Sequence, residues 1–126
     1  MTELRVLISD DDVMIRDVLE EVLNAEADIA VVAVAGDADE AIRLAERHRP
    51  AVAVLDVRMP GGGGARAARE IARRSPDTAI LAFSAYADRA SIAGLAAAGV
   101  TEYLVKGAPN TAIVEAVRRL GRQAAG

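Results

Sequence analysis

Five short runs of apolar residues recur along the chain, and each is bounded by residues that favour turns. Their length of a few residues and their many β-branched side chains are typical of strands buried on both faces of a parallel sheet. The runs cover Leu4–Ile8, Ile29–Val34, Ala51–Leu55, Thr78–Phe83 and Val100–Leu104. The pattern therefore predicts five buried strands.

Between these runs, apolar residues recur at spacings of three and four, which predicts amphipathic helices. The second helix is expected to start near Asp37, and the third to follow the glycine run 61–64. The fourth is expected to stop near Gly99, and the fifth to follow Pro109 and end near Arg122. The expected buried stripes are Ile15, Val18, Leu19, Val22 and Leu23; Ala38, Ala41, Ile42 and Ala45; Ala68, Ile71 and Ala72; Ile92, Leu95 and Ala96; and Ile113, Ala116, Val117 and Leu120.

Strict alternation of strands and helices predicts an α/β fold with a parallel sheet, right-handed crossovers and helices on both faces. The flavodoxin-like strand order 2-1-3-4-5 suits a sheet of five strands. Ligands of such sheets bind beyond the carboxyl ends of the strands. We expect one domain over residues 1–122, a short tail over residues 123–126 and no second domain.

Composition narrows the classes of function. The 126 residues carry 15 basic and 19 acidic side chains, a net charge of −4, which argues against a nucleic-acid surface. The absence of cysteine excludes disulfides, thiolate metal sites and cysteine nucleophiles. No apolar run approaches the roughly 18 residues of a membrane span, and the N-terminus lacks the layout of a signal peptide. We therefore expect a soluble cytoplasmic protein without membrane contact.

Acidic side chains follow two of the predicted strands. Asp10, Asp11 and Asp12 come after the first strand, and Asp56 comes after the third. One interpretation of the acidic triplet is a helix N-terminus, with Asp12 as the cap. The other is a cation site, because clustered carboxylates repel each other and Mg²⁺ prefers carboxylate oxygens. Asp10 and Asp11 lie closer to the strand tip, where a ligand would bind.

The other strand ends supply groups that suit phosphoryl chemistry. Asp56 is either a partner of a loop amide or a nucleophile that forms an aspartyl phosphate. Ser84, after the fourth strand, is either a turn residue or a hydrogen-bond donor to a phosphoryl oxygen. Lys106, the only lysine, is either an ordinary surface lysine or a compact positive charge facing that phosphoryl group. Tyr103 is either a core aromatic or a functional residue.

Taken together, these residues resemble the receiver domain of bacterial two-component response regulators. The resemblance extends from Val6 to Leu120. The acid pair alone is a weak signal, the Asp-x-x-Met-Pro-Gly segment is a strong one, and all the matching segments in order are very specific. The matching segments are Val6–Asp11, Val54–Pro60 with Gly61 and Gly64, Phe83–Ala85 and Tyr103–Lys106. Met14-Ile15-Arg16 resembles the subgroup whose members often carry a helix-turn-helix output domain.

The resemblance implies a role for each residue at the strand ends. Asp56 accepts a phosphoryl group from a histidine kinase's phosphohistidine. Asp11, Asp56 and the backbone carbonyl of Arg58 bind Mg²⁺ or Mn²⁺, and Asp10 acts mainly through a metal-bound water. Lys106 and Ser84 bind the phosphoryl oxygens.

The resemblance also implies a conformational switch. The Ser84 hydroxyl moves toward the phosphoryl group and the Tyr103 ring turns inward, which changes the surface of helix four, strand five and helix five. Such a change is a two-state equilibrium biased by a local charge. The loop of Met59, Pro60, Gly61 and Gly64 adjoins the site, and Pro60 shapes it through its fixed φ.

Several positions depart from the family pattern. The glycine run 61–64 has two more glycines than the pattern requires, which predicts a mobile loop and a late start of the third helix. Ser9 stands where the family usually has a bulky apolar residue. We hypothesise that Arg58 and Tyr86 slow loss of the phosphoryl group by flanking the path of a hydrolytic water. The cluster of Arg118, Arg119 and Arg122 is interpreted as a solvated helix face, with a partner surface as the alternative.

The expected partners are a sensor histidine kinase or phosphotransfer protein, and a downstream protein or an output domain outside this sequence. A phosphorylation-dependent homodimer and an N-terminal receiver of a DNA-binding transcription regulator stay open. We expect the chain to catalyse only its own phosphorylation and dephosphorylation. The alternatives are a pseudo-receiver binding module and a haloacid-dehalogenase-type phosphatase with Asp10 as nucleophile.

Overall fold

A computed structural model describes residues 3–85, 89–100 and 102–125. Strands and helices alternate along the chain as the pattern predicts, and every predicted element is present with its boundaries shifted by a few residues. The elements are β1 (Leu4–Ser9), α1 (Val13–Asn24), β2 (Ile29–Ala35), α2 (Ala38–His48), β3 (Val52–Asp56), α3 (Gly63–Arg74), β4 (Ala79–Ser84), α4 (Arg89–Ala97), β5 (Glu102–Val105) and α5 (Asn110–Ala125).

The five strands form one parallel sheet in the order β2-β1-β3-β4-β5, which confirms the predicted fold class and strand order. β3 lies at the centre, between β1 and β4. In the register of the sheet, Ser9 pairs with Leu55, and Asp56 pairs with Phe83. The residues that follow β1, β3, β4 and β5 therefore lie along one edge of the sheet, since parallel strands end on the same side.

Two apolar clusters cover the two faces of the sheet. One packs α2, α3 and α4 against side chains such as Leu7, Leu55 and Ala82. The other packs α1 and α5 against side chains such as Ile8 and Val54. Alternate residues of each central strand enter opposite clusters, so the core of the domain anchors the strand ends from both sides.

The predicted helix stripes are confirmed for α2 and α5, whose stripe residues are all buried. The stripes of the other helices are only partly buried. Val18 is 54% exposed and Ile92 is 39% exposed, while Ala72 and Ala96 are also exposed. The spacing of apolar residues predicts which side of a helix is apolar, but packing against the sheet and the neighbouring helices sets how much of that side is buried. α5 also extends beyond the predicted end at Arg122 to Ala125.

The glycine run takes part in α3. The helix begins at Gly63, inside the run and not after it. Gly61, Gly62 and Gly63 have φ angles of 88°, 103° and 75°, in the left-handed region that glycine adopts at little cost. At Gly64 the constraint is close packing, because a Cβ built there would lie 2.7 Å from the carbonyl oxygen of Asp56.

Replacing Gly64 with alanine is expected to destabilise the domain by about 1–3 kcal/mol, because the added methyl group overpacks the backbone of β3. Gly94, in α4, provides the matched control: a Cβ there meets its nearest neighbour, Ala65 Cβ, at 3.4 Å. Gly94→Ala is expected to be neutral or stabilising by up to about 1 kcal/mol, from helix propensity. Urea unfolding followed by circular dichroism measures both. Equal changes in the two variants would contradict the packing argument.

Candidate functional site

Asp56 ends the central strand β3 and is only 5% exposed. The Arg58 amide approaches its Oδ1 at 3.4 Å. A carboxylate at this position is held by a fully buried strand and opens onto the carboxyl edge of the sheet. The prediction that Asp56 ends a central buried strand is confirmed.

The three aspartates that follow β1 differ in their structural roles. Asp12 caps α1 by accepting from the amides of Met14 at 2.9 Å and Ile15 at 3.4 Å. Asp10 is 1% exposed, and its Oδ1 accepts from the Asp12 amide at 2.9 Å. Asp11 is exposed. Capping therefore accounts for Asp12 but leaves the buried position of Asp10 unexplained.

The two buried carboxylates share a cation. Lys106 Nζ lies 2.8 Å from Asp10 Oδ2 and 3.3 Å from Asp56 Oδ2. Lys106 follows the last residue of β5, and its amide donates to the carbonyl oxygen of Ser84 at 2.7 Å, which ties the ends of β4 and β5 together. The ammonium of Lys106 therefore faces the same site as the carboxylates, as predicted.

The surroundings of Asp56 disfavour its negative charge. Burial and the negative charge of Asp10 raise the pKa of Asp56 from 3.8 to about 6, against the opposing effects of Lys106 and the Arg58 amide. Burial also disfavours the ammonium of Lys106. Its hydrogen bond to Asp10 and the charges of Asp56 and Asp10 outweigh that effect and raise the Lys106 pKa. The site thus holds negative charge that one ammonium does not fully compensate.

The donor set suits a hard divalent cation. Among the described residues, Asp10, Asp11 and Asp56 each offer a carboxylate oxygen, and these oxygens lie within 4.8 Å of one another. Mg²⁺ prefers such oxygens and binds through one or two carboxylates plus waters and phosphoryl oxygens. The raised pKa of Asp56 indicates that an added positive charge would be favourable here.

Ser84 and Tyr103 lie beside this site on β4 and β5. Ser84 is 2% exposed and ends β4. Tyr103 pairs with Ala82 in the sheet, and its ring packs against the cluster formed by α2, α3 and α4. The Tyr103 hydroxyl oxygen is shielded from solvent. Arg58 is exposed, whereas Tyr86 lies outside the described residues.

The loop after Asp56 is tied to α2 and to β1. Pro60 is exposed, and its carbonyl oxygen accepts from the Ala38 amide at 3.0 Å. The Gly61 carbonyl oxygen accepts from Arg66 at 2.7 Å. Met59 is 7% exposed, and its sulfur accepts from the Ser9 hydroxyl at 2.8 Å. No spacing along the chain indicates these contacts, although the polar Ser9 in an otherwise apolar strand segment was a signal.

The interpretation of the α5 arginines as a solvated face is confirmed for Arg119 and Arg122, which are exposed, whereas Arg118 is half-buried. Arg118 makes two hydrogen bonds of 2.8 Å to the carboxylate of Asp28 and one of 2.7 Å to Glu26. Arg119 makes two hydrogen bonds of 3.0 Å to Glu102. These pairs connect α5 to the segment before β2 and to β5. Only the folded chain brings their partners within reach.

Within the described ranges, no helix combines the length and apolar character that a membrane crossing requires.

A doubly wound parallel sheet with three aspartates and a lysine at its carboxyl edge defines the class of receiver domains. Residues 6–118 match the response regulator receiver domain family, and the chain belongs to this family. The expected resemblance, including the subgroup with transcription-regulator relatives, is confirmed.

The similar proteins are regulators of about twice this length. The DNA-binding transcriptional activator DevR/DosR of Mycobacterium tuberculosis is 33% identical over 118 residues, which cover 94% of this chain and 54% of that protein. The transcriptional regulatory protein DegU of Brevibacillus brevis is 30% identical over 116 residues, which cover 92% of this chain and 49% of that protein. The chain therefore spans about half the length of the curated relatives it matches.

Solved structures agree with this relationship. A two-component response regulator of the LuxR family from Aurantimonas sp. SI85-9A1 has 29% identity and a TM-score of 0.89, over 97% of this chain and 87% of that one. The receiver domain of AraT, a response regulator from Geobacillus stearothermophilus, has 28% identity and a TM-score of 0.84, over 95% and 94% of the two chains.

Proposed function

We propose that the chain is a phosphorylation switch in which Asp56 accepts a phosphoryl group from the phosphohistidine of a sensor histidine kinase or a phosphotransfer protein. The observation that carries this proposal is the convergence of Asp56 with Asp10, Asp11 and Lys106 at one edge of the sheet. Loss of the acceptor, an acid or the lysine would have favoured a pseudo-receiver. All of them are present.

In the proposed step, a carboxylate oxygen of Asp56 attacks the phosphorus atom. The new O–P bond forms as the P–N bond of phosphohistidine breaks, and the electron pair of that bond goes to the histidine nitrogen. Asp56 must be ionised to act as a nucleophile, and at neutral pH it is mostly so despite its raised pKa of about 6. Catalysis of this transfer rests mainly on positioning and electrostatics.

Asp11, Asp56 and the backbone carbonyl of Arg58 are proposed to hold Mg²⁺ or Mn²⁺, and Asp10 to act mainly through a metal-bound water. The bound cation would neutralise negative charge on the transferring phosphoryl group. Lys106 contributes a further positive charge from the β5 side of Asp56. Its close pairing with Asp10 keeps it within reach of Asp56 before phosphorylation.

The aspartyl phosphate would then bias a two-state equilibrium. Lys106 and Ser84 would bind its oxygens, and Tyr103 would favour its inward orientation beside the moved Ser84. Since Lys106, Ser84 and Tyr103 belong to or follow β4 and β5, the surface of α4, β5 and α5 responds. A shift from 1:99 to 99:1 needs roughly 5.5 kcal/mol of differential interaction, to which these contacts contribute.

The output is proposed from the relatives. Because DevR/DosR is a DNA-binding transcriptional activator, we propose that this receiver works in the cytoplasm and controls a DNA-binding output, without itself contacting nucleic acid. We expect no turnover of other substrates. Control of a downstream protein and a phosphorylation-dependent homodimer are the competing output modes. Arg58, which is exposed, and Tyr86 are proposed to slow dephosphorylation.

Incubation with acetyl phosphate and Mg²⁺ is expected to add about 80 Da to the intact protein, the mass of one phosphoryl group. Asp56→Asn is expected to abolish this adduct, because an amide cannot act as the nucleophile. Asp17→Asn, an exposed aspartate of α1, is the control and should retain the adduct. An unmodified wild-type protein, or an adduct that persists in Asp56→Asn, would overturn the proposal.

A further inference from the structure

Ser9 is a buried hydroxyl at the end of an otherwise apolar strand segment. It is 1% exposed, and it pairs with Ala35 on β2 and with Leu55 on β3. Its hydroxyl donates to the sulfur of Met59 at 2.8 Å. A thioether is a weak acceptor, yet a buried hydroxyl without a partner is costly, so this contact favours one placement of the Met59 side chain.

Met59 is the next residue after Arg58, whose carbonyl is a proposed ligand of Mg²⁺. The carbonyl group of Arg58 belongs to the planar peptide unit that ends at the Cα atom of Met59. Its direction is therefore set by how the backbone is held at both residues. On the Arg58 side, the amide approaches Asp56 Oδ1 at 3.4 Å. On the other side, Ser9 holds the Met59 side chain.

We infer that Ser9 is a positioning residue that acts through Met59 to hold the Arg58 carbonyl in the orientation that binds Mg²⁺. The inference rests on the proposed function, since it concerns the cation of that site. It also explains a serine in the apolar β1: the small hydroxyl leaves room for Met59 and supplies its hydrogen-bond donor. The next residue, Asp10, belongs to the same site, so one strand end both supplies an acidic group and braces the opposite loop.

Calorimetric titration of Mg²⁺ into the metal-free protein tests the inference. Ser9→Ala is expected to weaken Mg²⁺ binding by roughly tenfold, the lower end of what loss of a partner behind a metal ligand causes. Met59→Leu keeps the bulk of the side chain but removes the sulfur, and is expected to weaken binding by a similar factor. The double variant should bind no more weakly than either single variant, because both changes remove the same contact.

Ser75→Ala is the matched control. Ser75 is also 1% exposed and hydrogen-bonds Thr78 Oγ1 at 2.7 Å, but it lies at the opposite end of the sheet, before β4. Its replacement is expected to lower stability without changing Mg²⁺ affinity.

In acetyl phosphate labelling, Ser9→Ala should raise the half-saturating Mg²⁺ concentration by a similar factor, roughly tenfold, and leave the rate at saturating Mg²⁺ unchanged.

A second readout uses the metal-free protein. Amide hydrogen exchange at Arg58 and Met59 is expected to be faster in Ser9→Ala than in Ser75→Ala, because the loop loses its anchor to β1. Unchanged Mg²⁺ affinity in Ser9→Ala, or additive losses in the double variant, would overturn the inference and leave the phosphorylation switch standing. A wild-type protein that binds no Mg²⁺ and accepts no phosphoryl group would overturn both.

Discussion

Asp56→Asn is expected to raise the free energy of unfolding at pH 7 by about 2–3 kcal/mol. The pKa of Asp56 is raised in the folded protein from 3.8 to about 6, mainly by burial and by the charge of Asp10. Each pKa unit corresponds to about 1.4 kcal/mol, so ionised Asp56 destabilises the folded state by about 3 kcal/mol at most. An uncharged amide of the same shape removes this cost. The acceptor that the proposed chemistry needs is therefore a source of instability.

The gain in stability is expected to depend on pH in a defined direction. Between pH 4 and pH 6 the folded protein holds a proton on Asp56 that the unfolded chain has released, so wild-type stability falls as the pH rises through this window. The advantage of Asp56→Asn should therefore be largest above pH 6 and fade as the pH falls to about 4.

Urea unfolding at pH 4, 5.5 and 7 in the presence of a chelator measures this effect without bound metal. Asp17→Asn, which removes an exposed carboxylate, should change stability by no more than about 0.5 kcal/mol at any of these pH values. An Asp56→Asn variant no more stable than the wild type at pH 7 would show that the ionised carboxylate of Asp56 does not destabilise the folded protein.

Lys106→Met is expected to lower the free energy of unfolding at pH 7 by about 2–4 kcal/mol. The substitution keeps most of the apolar stem but removes the ammonium that lies 2.8 Å from Asp10 and 3.3 Å from Asp56. Two buried carboxylates then face each other without a cation, and breaking one side of such an arrangement costs about 3–5 kcal/mol when nothing relaxes. Protonation of Asp56, whose pKa rises further, limits the loss.

A double-mutant cycle separates this effect from lost packing. Lys106→Met combined with Asp56→Asn should recover most of the stability, because only Asp10 then remains as a buried anion near the vacated position. Lys106→Arg retains the charge and should lose less than Lys106→Met. If the loss in Lys106→Met were the same with Asp56 and with Asn at that position, coupling between the two charges would be excluded.

The residues of the site could be predicted from the pattern of strands along the sequence. Asp10, Asp11, Asp56, Ser84 and Lys106 each end or follow a strand, and parallel strands place their carboxyl ends on one edge. Strand assignment alone therefore brings these residues together. Which of them pair was not predictable, because pairing depends on strand register and on side-chain reach. Lys106 lies closer to Asp10 than to Asp56, and no spacing along the chain indicates this.

The same distinction applies to the contacts that sequence reasoning missed. Arg118 reaches Asp28 across 90 positions of the chain, and Ser9 reaches Met59 across 50. Gly64 is required because the backbone of Asp56 lies where its Cβ would stand. A helical pattern reports only which face is apolar. It carries no information about what lies opposite that face once the strands are assembled.

By itself, the amino-acid sequence determined the five strands, the five helices, the cap at Asp12, the start of the second helix near Asp37 and the set of polar residues at the strand ends. These follow from hydrophobic periodicity and from short-range hydrogen bonding, which act within a few residues. Only the tertiary structure decided that Val18 is exposed, that Asp10 shares Lys106 with Asp56 and that Ser9 braces Met59. Those outcomes depend on packing between distant segments, which is set only when the strands pair and the helices pack on the two faces of the sheet.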